Sequence, residues 1–269
     1  MRPFIFFAIV KRMFSLKNQT VFITGATAGI GAATAHAFAA AGARLLLCAR
    51  RIDVLEAMLP ALLQAGAADV HAFRLDVSDR AAVADTLANL PDAWQSIDVL
   101  VNNAGLSRGL AKLYEDDIDN WEEMIDTNIK GLLYVTRAVV PGMVARARGH
   151  IVNLGSVAGY ITYANGAVYC ASKAAEKSIS EGLKIDLMGT PIRVTSIDAG
   201  MVETDFSLVR FRGDAARAEK IYQNITPLQP EDIADAILYA VTRPAHVNIH
   251  NILITTIDQA NSTTFHRHS

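Results

Sequence analysis

The chain has 269 residues, of which 51% are apolar, so its length suits a single domain with a sizeable core and excludes intrinsic disorder for most of it. Lys and Arg total 25 against 27 Asp and Glu, and this net charge of -2 lacks the positive field that nucleic-acid binding requires. The expected ligand is therefore a small molecule. The two cysteines cannot form a disulfide scaffold and have no zinc-ligand spacing, so we expect no metal and a cytoplasmic protein.

The first 17 residues are interpreted as an N-terminal extension of uncertain role. Their apolar run at 4–10 is flanked by basic residues and is too short to span a bilayer, which takes about 20 residues. We therefore expect no membrane partner and a single domain over 18–269. A membrane-touching arm remains the alternative for the extension.

Short aliphatic runs alternate with longer Ala- and Leu-rich segments of helical period from residue 20 onward. The order of these segments predicts an α/β fold, a single Rossmann-type doubly wound domain whose seven-stranded, mainly parallel sheet carries helices on both faces. The insertion at 201–229 is predicted to be a substrate lid. The predicted strands are Val21–Thr24, Arg44–Cys48, Val70–Leu75, Val99–Asn102, His150–Leu154, Arg193–Ile197 and Asn251–Thr255. The predicted helices are 29–41, 51–64, 79–90, 119–147, 166–188 and 230–242.

A glycine-rich segment, TGATAGIG at 24–31, follows the first strand and opens the first helix. Glycines permit a tight turn there, and the N–H groups of a helix N-terminus bind the pyrophosphate of a dinucleotide. The alternative is that these glycines only shape the turn. The predicted cofactor contacts in this segment are Gly25, Thr27, Ala28, Gly29, Ile30 and Gly31.

Two arginines, Arg50 and Arg51, follow the second strand, and no acidic residue occurs there before Asp53. An NAD site places a carboxylate at this point for the ribose 2′-hydroxyl, whereas arginines bind the 2′-phosphate of NADP. The sequence therefore predicts NADP as the cofactor. Asp76 and Val77, after the third strand, are placed to contact the adenine, although Asp76 could instead cap the next helix.

A further set of motifs follows the later strands: Asn103-Ala104-Gly105, Asn128, Ser156, and Tyr169 with Lys173 four residues on. Together with the glycine segment, this set resembles the short-chain dehydrogenase/reductase family in order and spacing from about residue 18. The resemblance implies an NADP-dependent oxidoreductase with a catalytic tetrad of Asn128, Ser156, Tyr169 and Lys173. It also implies cofactor contacts from Asn103, Ala104, Gly105, Tyr169, Lys173, Gly200, Val202 and Thr204.

The chemistry of the tetrad follows from its residue types. Tyr169 and Lys173 share a helix face, and a nearby cation favours the phenolate, so Tyr169 is predicted to act as general acid or base. Ser156 is predicted to hydrogen-bond the substrate oxygen. By the family resemblance, Lys173 also holds the nicotinamide ribose, and Asn128 orders a water that relays protons. The family often has Pro-Gly where this chain has Ala199 and Gly200, so the turn is expected to be looser.

Within the family, segments 121–143, 209–222 and 244–249 resemble those of NADP-dependent 3-hydroxy acid dehydrogenases, also called serine 3-dehydrogenases. This implies substrates such as L-serine, L-allo-threonine and 3-hydroxypropionate, with malonic semialdehyde as the oxidised form of the last, and a homotetramer. Arg210 or Arg212 in the lid could clamp the substrate carboxylate, or instead be solvated or contact another subunit. Two alternatives remain: a reductase of a sugar, steroid or acyl-carrier substrate, and a non-catalytic NADP-binding protein. The polar segment 261–269 is expected to cap a neighbouring subunit or to fray.

Overall fold

The structure, a computed structural model, describes residues 16–268. The predicted extension lies outside them apart from residues 16 and 17, and Leu16 is fully buried. Seven strands form one sheet in the order β3-β2-β1-β4-β5-β6-β7, with every neighbouring pair parallel. This confirms the predicted doubly wound α/β fold. The strands are β1 Thr20–Thr24, β2 Arg44–Ala49, β3 Asp69–Arg74, β4 Val99–Asn102, β5 His150–Ser156, β6 Arg193–Ala199 and β7 Asn251–Ile254.

Helices cover both faces of the sheet, and each face has its own apolar layer because successive strand residues point to opposite sides. Val21 and Ile23 of β1 face one layer with Phe38, whereas Phe22 between them faces the other with Met143. No helix within residues 16–268 has the length and apolar character needed to span a membrane. The helices are α1 Gly29–Ala40, α2 Ile52–Ala65, α3 Arg80–Ala88, α4 Ile118–Ile125, α5 Leu132–Ala145, α6 Ala167–Asp186, α7 Phe206–Arg210, α8 Ala215–Tyr222 and α9 Pro230–Val241.

The single helix predicted over 119–147 is divided in the structure. A π-helical segment, Asp126–Gly131, separates α4 from α5 and contains Asn128. Such segments occur frequently at functional sites. The side chain of Asn128 bonds the backbone of Leu106 in both directions, at 2.8 Å each. These contacts between distant parts of the chain stabilise the widened turn, so the local apolar pattern could not reveal it.

The predicted lid region contains two short helices, α7 and α8, above the carboxyl ends of the strands. Its two ends meet where Val202 forms a parallel bridge with Leu228. The C-terminal segment at 256–268 folds back against this lid, with the N–H of His268 donating to the carbonyl of Asn224. The segment therefore packs on its own chain in this structure rather than fraying.

Candidate active site

A cavity of about 1090 Å³ opens at the carboxyl ends of the strands, and residues of the segment predicted to be a lid form part of its wall. This volume exceeds the roughly 300–1,000 Å³ of ordinary small-molecule pockets, so two ligands can lie side by side. Of the predicted site residues, Gly31 and Asn128 are absent from its wall. The predicted residues on the wall are Gly25, Thr27, Ala28, Gly29, Ile30, Arg50, Arg51, Asp76, Val77, Asn103, Ala104, Gly105, Ser156, Tyr169, Lys173, Gly200, Val202, Thr204, Arg210 and Arg212.

The glycine segment after β1 forms the turn that the sequence predicts. Gly25 and Gly29 adopt left-handed backbone angles, with φ of 67° and 51°, which side chains strongly disfavour. Within the described part of the chain, no side chain caps the N-terminus of α1, so its first N–H groups are available to an anion. A Cβ added at Gly29 would lie 3.0 Å from a methyl group of Thr204, so the start of the lid packs directly on this turn.

Gly31 does not line the cavity in this structure, and its predicted contact with the cofactor stays a prediction. A Cβ there would lie 2.4 Å from the carbonyl oxygen of Gly25 and 2.5 Å from Nδ2 of Asn103. Gly31 thus allows α1 to pack closely against the loop after β4. The side-chain amide of Asn103 in this loop donates to the carbonyls of Thr24 at 2.9 Å and Gly25 at 3.0 Å, at the start of the glycine turn after β1.

Arg50 and Arg51 stand exposed at the end of β2, beside the glycine turn. Nη2 of Arg51 donates to Oγ1 of Thr27 at 3.2 Å. Two guanidinium groups beside this turn suit the 2′-phosphate of NADP better than the ribose 2′-hydroxyl of NAD.

Asp76 follows β3 on the cavity wall, and the alternative that it caps the next helix is wrong. Its Oδ1 accepts from the N–H of Ser78 at 3.0 Å and from the hydroxyl of Ser78 at 2.7 Å. Asp79 caps α3 instead, accepting from the N–H groups of its first turn. Asp76 therefore shapes the turn between β3 and the cap.

Three of the four predicted catalytic residues, Ser156, Tyr169 and Lys173, line the cavity. Tyr169 lies in the first turn of α6, is only 8% exposed and faces the cavity. Lys173 lies one turn further on, and its Nζ donates to the carbonyl of Leu154 at 2.5 Å. Ser156 ends β5, and its Oγ accepts from the N–H of Ala158 at 3.1 Å, so its hydroxyl hydrogen can be donated to a ligand.

Asn128 lies behind this group rather than on the wall. Its Nδ2 donates to the carbonyl of Leu106 and to Oγ of Ser172, at 2.8 Å and 3.0 Å. A Cβ added at Gly105 would lie 3.3 Å from Oδ1 of Asn128 and 3.9 Å from Nζ of Lys173. Both side chains therefore flank Gly105, and the proton-relay role of Asn128 stays a prediction.

The turn after β6 is held firmly without proline. The N–H of Gly200 donates to the carbonyl of Ile254 at 2.7 Å, and the N–H of Met201 donates to Oε1 of Gln259 at 2.8 Å. A Cβ at Gly200 would lie 2.3 Å from that Oε1. Gly200 therefore admits the side chain of Gln259, and the expected looseness of this turn is not found.

The structure separates the two lid arginines. The guanidinium of Arg210 lies 5.4 Å from the ring centroid of Tyr169 and donates to the hydroxyl of Tyr163 at 3.0 Å. Its Nε is buried and has no hydrogen-bond partner among residues 16–268. Arg212 has 59% of its side chain exposed and donates to Oδ1 of Asn120 at 2.8 Å. Arg210 is thus the arginine with unused hydrogen-bonding capacity close to the tetrad.

An ion pair that sequence reasoning missed fastens the lid. Nε of Arg108 donates to Oε2 of Glu123 at 2.6 Å, and the same guanidinium donates to the carbonyl of Val209 in the lid. The hydrogen bond from Arg108 lowers the pKa of Glu123. The N–H of Gly109 also donates to the carbonyl of Arg210 at 3.0 Å. The partners lie far apart in sequence, so no local motif could have revealed them.

A buried carboxyl group lies beneath the end of β5. Glu176 is 1% exposed, its Oε1 accepts from Ser180 at 2.9 Å, and its Oε2 has no hydrogen-bond partner within the described part of the chain. Burial raises its pKa. A Cβ added at Gly155 would lie 2.7 Å from Oε2 of Glu176 and 1.8 Å from Oδ1 of Asp198. Gly155 thus leaves room for two acidic side chains directly beneath Ser156.

Comparison with known proteins assigns the chain to one family. The family model described as short chain dehydrogenase matches residues 19–213. The chain belongs to this family and is an oxidoreductase, which confirms the resemblance inferred from the motifs. Among residues 16–268, no group of three or more His, Cys, Asp or Glu residues is arranged to hold a metal ion.

Particular relatives are similar over almost the whole chain. The NADP-dependent 3-hydroxy acid dehydrogenase YdfG of Salmonella typhi is 48% identical over 241 residues, covering 89% of this chain and 96% of that protein. Sulfoacetaldehyde reductase 2 of Chromohalobacter salexigens is 45% identical over 244 residues, covering 90% and 96%. A closed form of serine dehydrogenase complexed with NADP+ superposes with a TM-score of 0.87 at 45% identity, covering 93% of this chain and all of that one. Serine dehydrogenase from Escherichia coli gives 0.78 at 40% identity, covering 90% and 100%.

Proposed function

We propose that this enzyme transfers hydride between NADP and the 3-hydroxyl of a small 3-hydroxy acid, such as L-serine, L-allo-threonine or 3-hydroxypropionate. The observation that carries the proposal is Arg210, a cation with an unpartnered Nε placed over the ring of Tyr169. A carboxylate held by this guanidinium would bring a nearby hydroxyl to the phenol. The names of the relatives, which include 3-hydroxy acid and serine dehydrogenases, support the same substrate class.

NADP fits the other end of the cavity. Gly25 and Gly29 shape the turn that receives the pyrophosphate, and the arginines at 50 and 51 provide cations for the 2′-phosphate. When bound, NADP supplies the carbon that accepts the hydride. Ala104 and Gly105 on one wall and Val202 and Thr204 on the other are assigned to its nicotinamide half.

The tetrad then handles the proton. In the oxidation direction, Tyr169 as phenolate takes the proton from the substrate hydroxyl. At the same time the hydride leaves the carbon that bears this hydroxyl, and that carbon becomes a carbonyl. Ser156 donates its free hydroxyl hydrogen to the substrate oxygen and keeps it oriented. Lys173, one helical turn after Tyr169, binds the nicotinamide ribose. Asn128, which flanks Gly105 as Lys173 does, is assigned to order the water that relays protons to Lys173.

Arg210 is the residue we assign to the substrate carboxylate. The guanidinium lies 5.4 Å and 5.2 Å from the ring centroids of Tyr169 and Phe206, within the range of a cation–π contact, and its buried Nε has no hydrogen-bond partner among residues 16–268. Arg212 instead donates to Asn120 and lies 3.9 Å from Glu123. We therefore assign Arg212 to lid closure, which keeps water from the reacting atoms.

The assembly that we propose is a cytoplasmic homotetramer. Apolar side chains are exposed on the helices expected at subunit interfaces, including Ile118 at 61%, Leu133 at 42%, Ile185 at 67% and, just past α6, Met188 at 74%. Burial of such side chains between subunits would remove them from water. Light scattering that finds a strict monomer would contradict the tetramer.

The test of the reaction is a substrate panel with purified protein, following NADPH formation with L-serine, L-allo-threonine, 3-hydroxypropionate and neutral secondary alcohols. Turnover of the acids supports the proposal. Turnover of the alcohols alone would support hydride transfer by the tetrad and contradict a substrate with a carboxylate. That result is expected of a reductase for a sugar, steroid or acyl-carrier substrate. Preferred turnover of 2-hydroxyethanesulfonate would indicate a sulfonate in place of the carboxylate. NADPH binding without turnover would identify a non-catalytic binding protein.

A further inference from the structure

Two buried acidic side chains, Glu176 and Asp198, face each other across Gly155. Both are only 1% exposed, and Gly155 in β5 is the register partner of Asp198 in β6. A Cβ built on Gly155 would lie 1.8 Å from Oδ1 of Asp198 and 2.7 Å from Oε2 of Glu176. The two oxygens are therefore no further apart than the sum of these distances. Glycine at 155 leaves the space in which the two carboxyl groups approach each other.

Asp198 is supplied with hydrogen-bond donors. Its Oδ1 accepts from the hydroxyl of Ser196 at 2.7 Å, and its Oδ2 accepts from the hydroxyl of Tyr160 at 2.5 Å. The side-chain amide of Asn251 in β7 also donates to Oδ2. An ionised carboxylate only accepts hydrogen bonds, so it suits these three donors.

Glu176 has a different environment. Its Oε1 accepts from the hydroxyl of Ser180 at 2.9 Å, whereas its Oε2 has no hydrogen-bond partner among residues 16–268. A buried acceptor without a donor costs free energy, and the cost is larger for a charged group. A protonated carboxyl group instead carries one O–H donor. A proton on Oε2 of Glu176 would therefore have an acceptor in Oδ1 of Asp198.

The elements packed around the pair contribute both charged and neutral groups. A cation, Lys173, acts on Glu176 from one helical turn earlier in α6. Tyr160 contributes a phenol whose pKa is raised by burial and then by the hydrogen bond to Asp198, so it stays neutral. Lys177 is 5.0 Å from the ring centroid of Tyr160, and its side chain is 38% exposed. The uncharged neighbours that donate to the pair are Ser180, Ser196 and Asn251.

The electrostatics of this group favour a single shared proton. Burial raises the pKa of Glu176, the charge of Lys173 opposes this shift, and the proximity of Asp198 adds to it. Two carboxyl groups in such proximity resist ionising together, and they titrate as a pair. With one proton bound, the pair and the ammonium of Lys173 carry no net charge, which is the favourable state for a buried cluster.

The pair is connected to the tetrad through Lys173. This side chain lines the cavity, and its Nζ donates to the carbonyl of Leu154, the residue before Gly155. The charge of Lys173 favours the ionised form of Glu176. Coupling between two titrating groups is reciprocal, so an ionised Glu176 favours the ammonium form of Lys173.

We propose that Glu176 and Asp198 hold one proton between them near neutral pH, and that its release at higher pH keeps Lys173 in the ammonium form and so extends the pH range of the tetrad. Glu176 is absent from the cavity wall and acts through Lys173, so it is a positioning residue. The proton site depends only on the buried pair, whereas its effect on turnover rests on the proposed function.

Infrared spectroscopy of Glu176→Gln tests the proton site. Glutamine keeps an acceptor for Ser180 and can donate its amide to Asp198, so it reproduces the protonated state of Glu176. At about pH 7, the wild type should show the C=O stretching band of a protonated carboxyl group, and the variant should lack it. The control is Glu56→Gln, at an exposed position of α2 outside the cavity wall, and it should keep the band. Absence of the band in the wild type, or its persistence in Glu176→Gln, would overturn the proton site.

The pH profile of kcat on the same proteins tests the effect on turnover, with the best substrate of the panel. Glutamine has the charge of the protonated acid, so the profiles of Glu176→Gln and wild type should coincide on the acid side. On the alkaline side, activity of the variant should fall about half a pH unit earlier, about threefold lower in kcat at the same pH. Coincident profiles throughout, or an equal loss at every pH, would overturn the effect on turnover. If no substrate is turned over by the wild type, the proposed function fails, and the infrared band still decides whether the proton site exists.

Discussion

Replacement of Arg210 by methionine separates recognition of the substrate carboxylate from the chemistry of the tetrad. Methionine keeps an unbranched stem against Phe206 and Tyr169 but removes the guanidinium with its unpartnered Nε. Hydrogen bonds to a charged group contribute about 1.5–3 kcal/mol. At about 1.4 kcal/mol for each factor of ten, kcat/KM for L-serine should fall roughly 10- to 150-fold.

The assay measures kcat/KM for L-serine and for a neutral secondary alcohol with the same enzyme preparation. The alcohol offers Arg210 no anion, so its kcat/KM should change less than about threefold. Arg212→Met is the matched control, because Arg212 is exposed and bonded to Asn120, and its effect on L-serine should be the smaller one. Equal losses for L-serine and the alcohol in Arg210→Met would refute the carboxylate assignment.

Three further changes test other parts of the site. Tyr169→Phe should abolish turnover and leave NADPH binding near normal by fluorescence titration; retained activity would remove Tyr169 from the mechanism. Arg51→Gln should raise the KM for NADP about tenfold or more and leave that for NAD unchanged, so a parallel rise for both would exclude a 2′-phosphate contact. Glu176→Gln tests the buried carboxyl. Because burial raises the pKa of Glu176, the wild-type protein loses stability as the pH rises above the ordinary carboxyl pKa of 4.5, and the variant does not. The unfolding temperature of the variant should exceed that of the wild type at about pH 8 and match it near pH 4, and an equal difference at both pH values would contradict this reasoning.

The seven-stranded parallel sheet and the glycine turn could be predicted because both depend on short, local patterns, and the same kind of pattern is the basis for the predicted pairing of Tyr169 with Lys173. Buried parallel strands are continuous apolar runs, and the glycine turn and the Tyr169–Lys173 pair need fixed spacings within a few residues. The structure places these residues around one cavity, where the carboxyl ends of the strands meet.

The features that sequence reasoning missed all depend on contacts between distant segments. The π-helical turn is stabilised by a hydrogen bond from Asn128 to the carbonyl of Leu106. Arg108 bonds to Glu123, and Arg267 donates to the carbonyl of Gln223 just after α8. The packing of Gly31 against the loop after β4 and the bond from Arg212 to Asn120 likewise depend on contacts between distant segments. A motif glycine can allow close packing instead of contacting a cofactor, and an arginine in a lid can bond to a helix instead of a substrate. Only the fold distinguishes these roles.

The central claim is that a substrate carboxylate is recognised beside Tyr169, and the most direct test compares an acid with its own neutral ester. With NADP as acceptor, kcat/KM is measured for 3-hydroxybutyrate and for methyl 3-hydroxybutyrate, which share the hydroxyl and the carbon chain. A charge-assisted contact with Arg210 predicts that the acid is favoured about tenfold or more. An ester that reacts as well as the acid would contradict the claim.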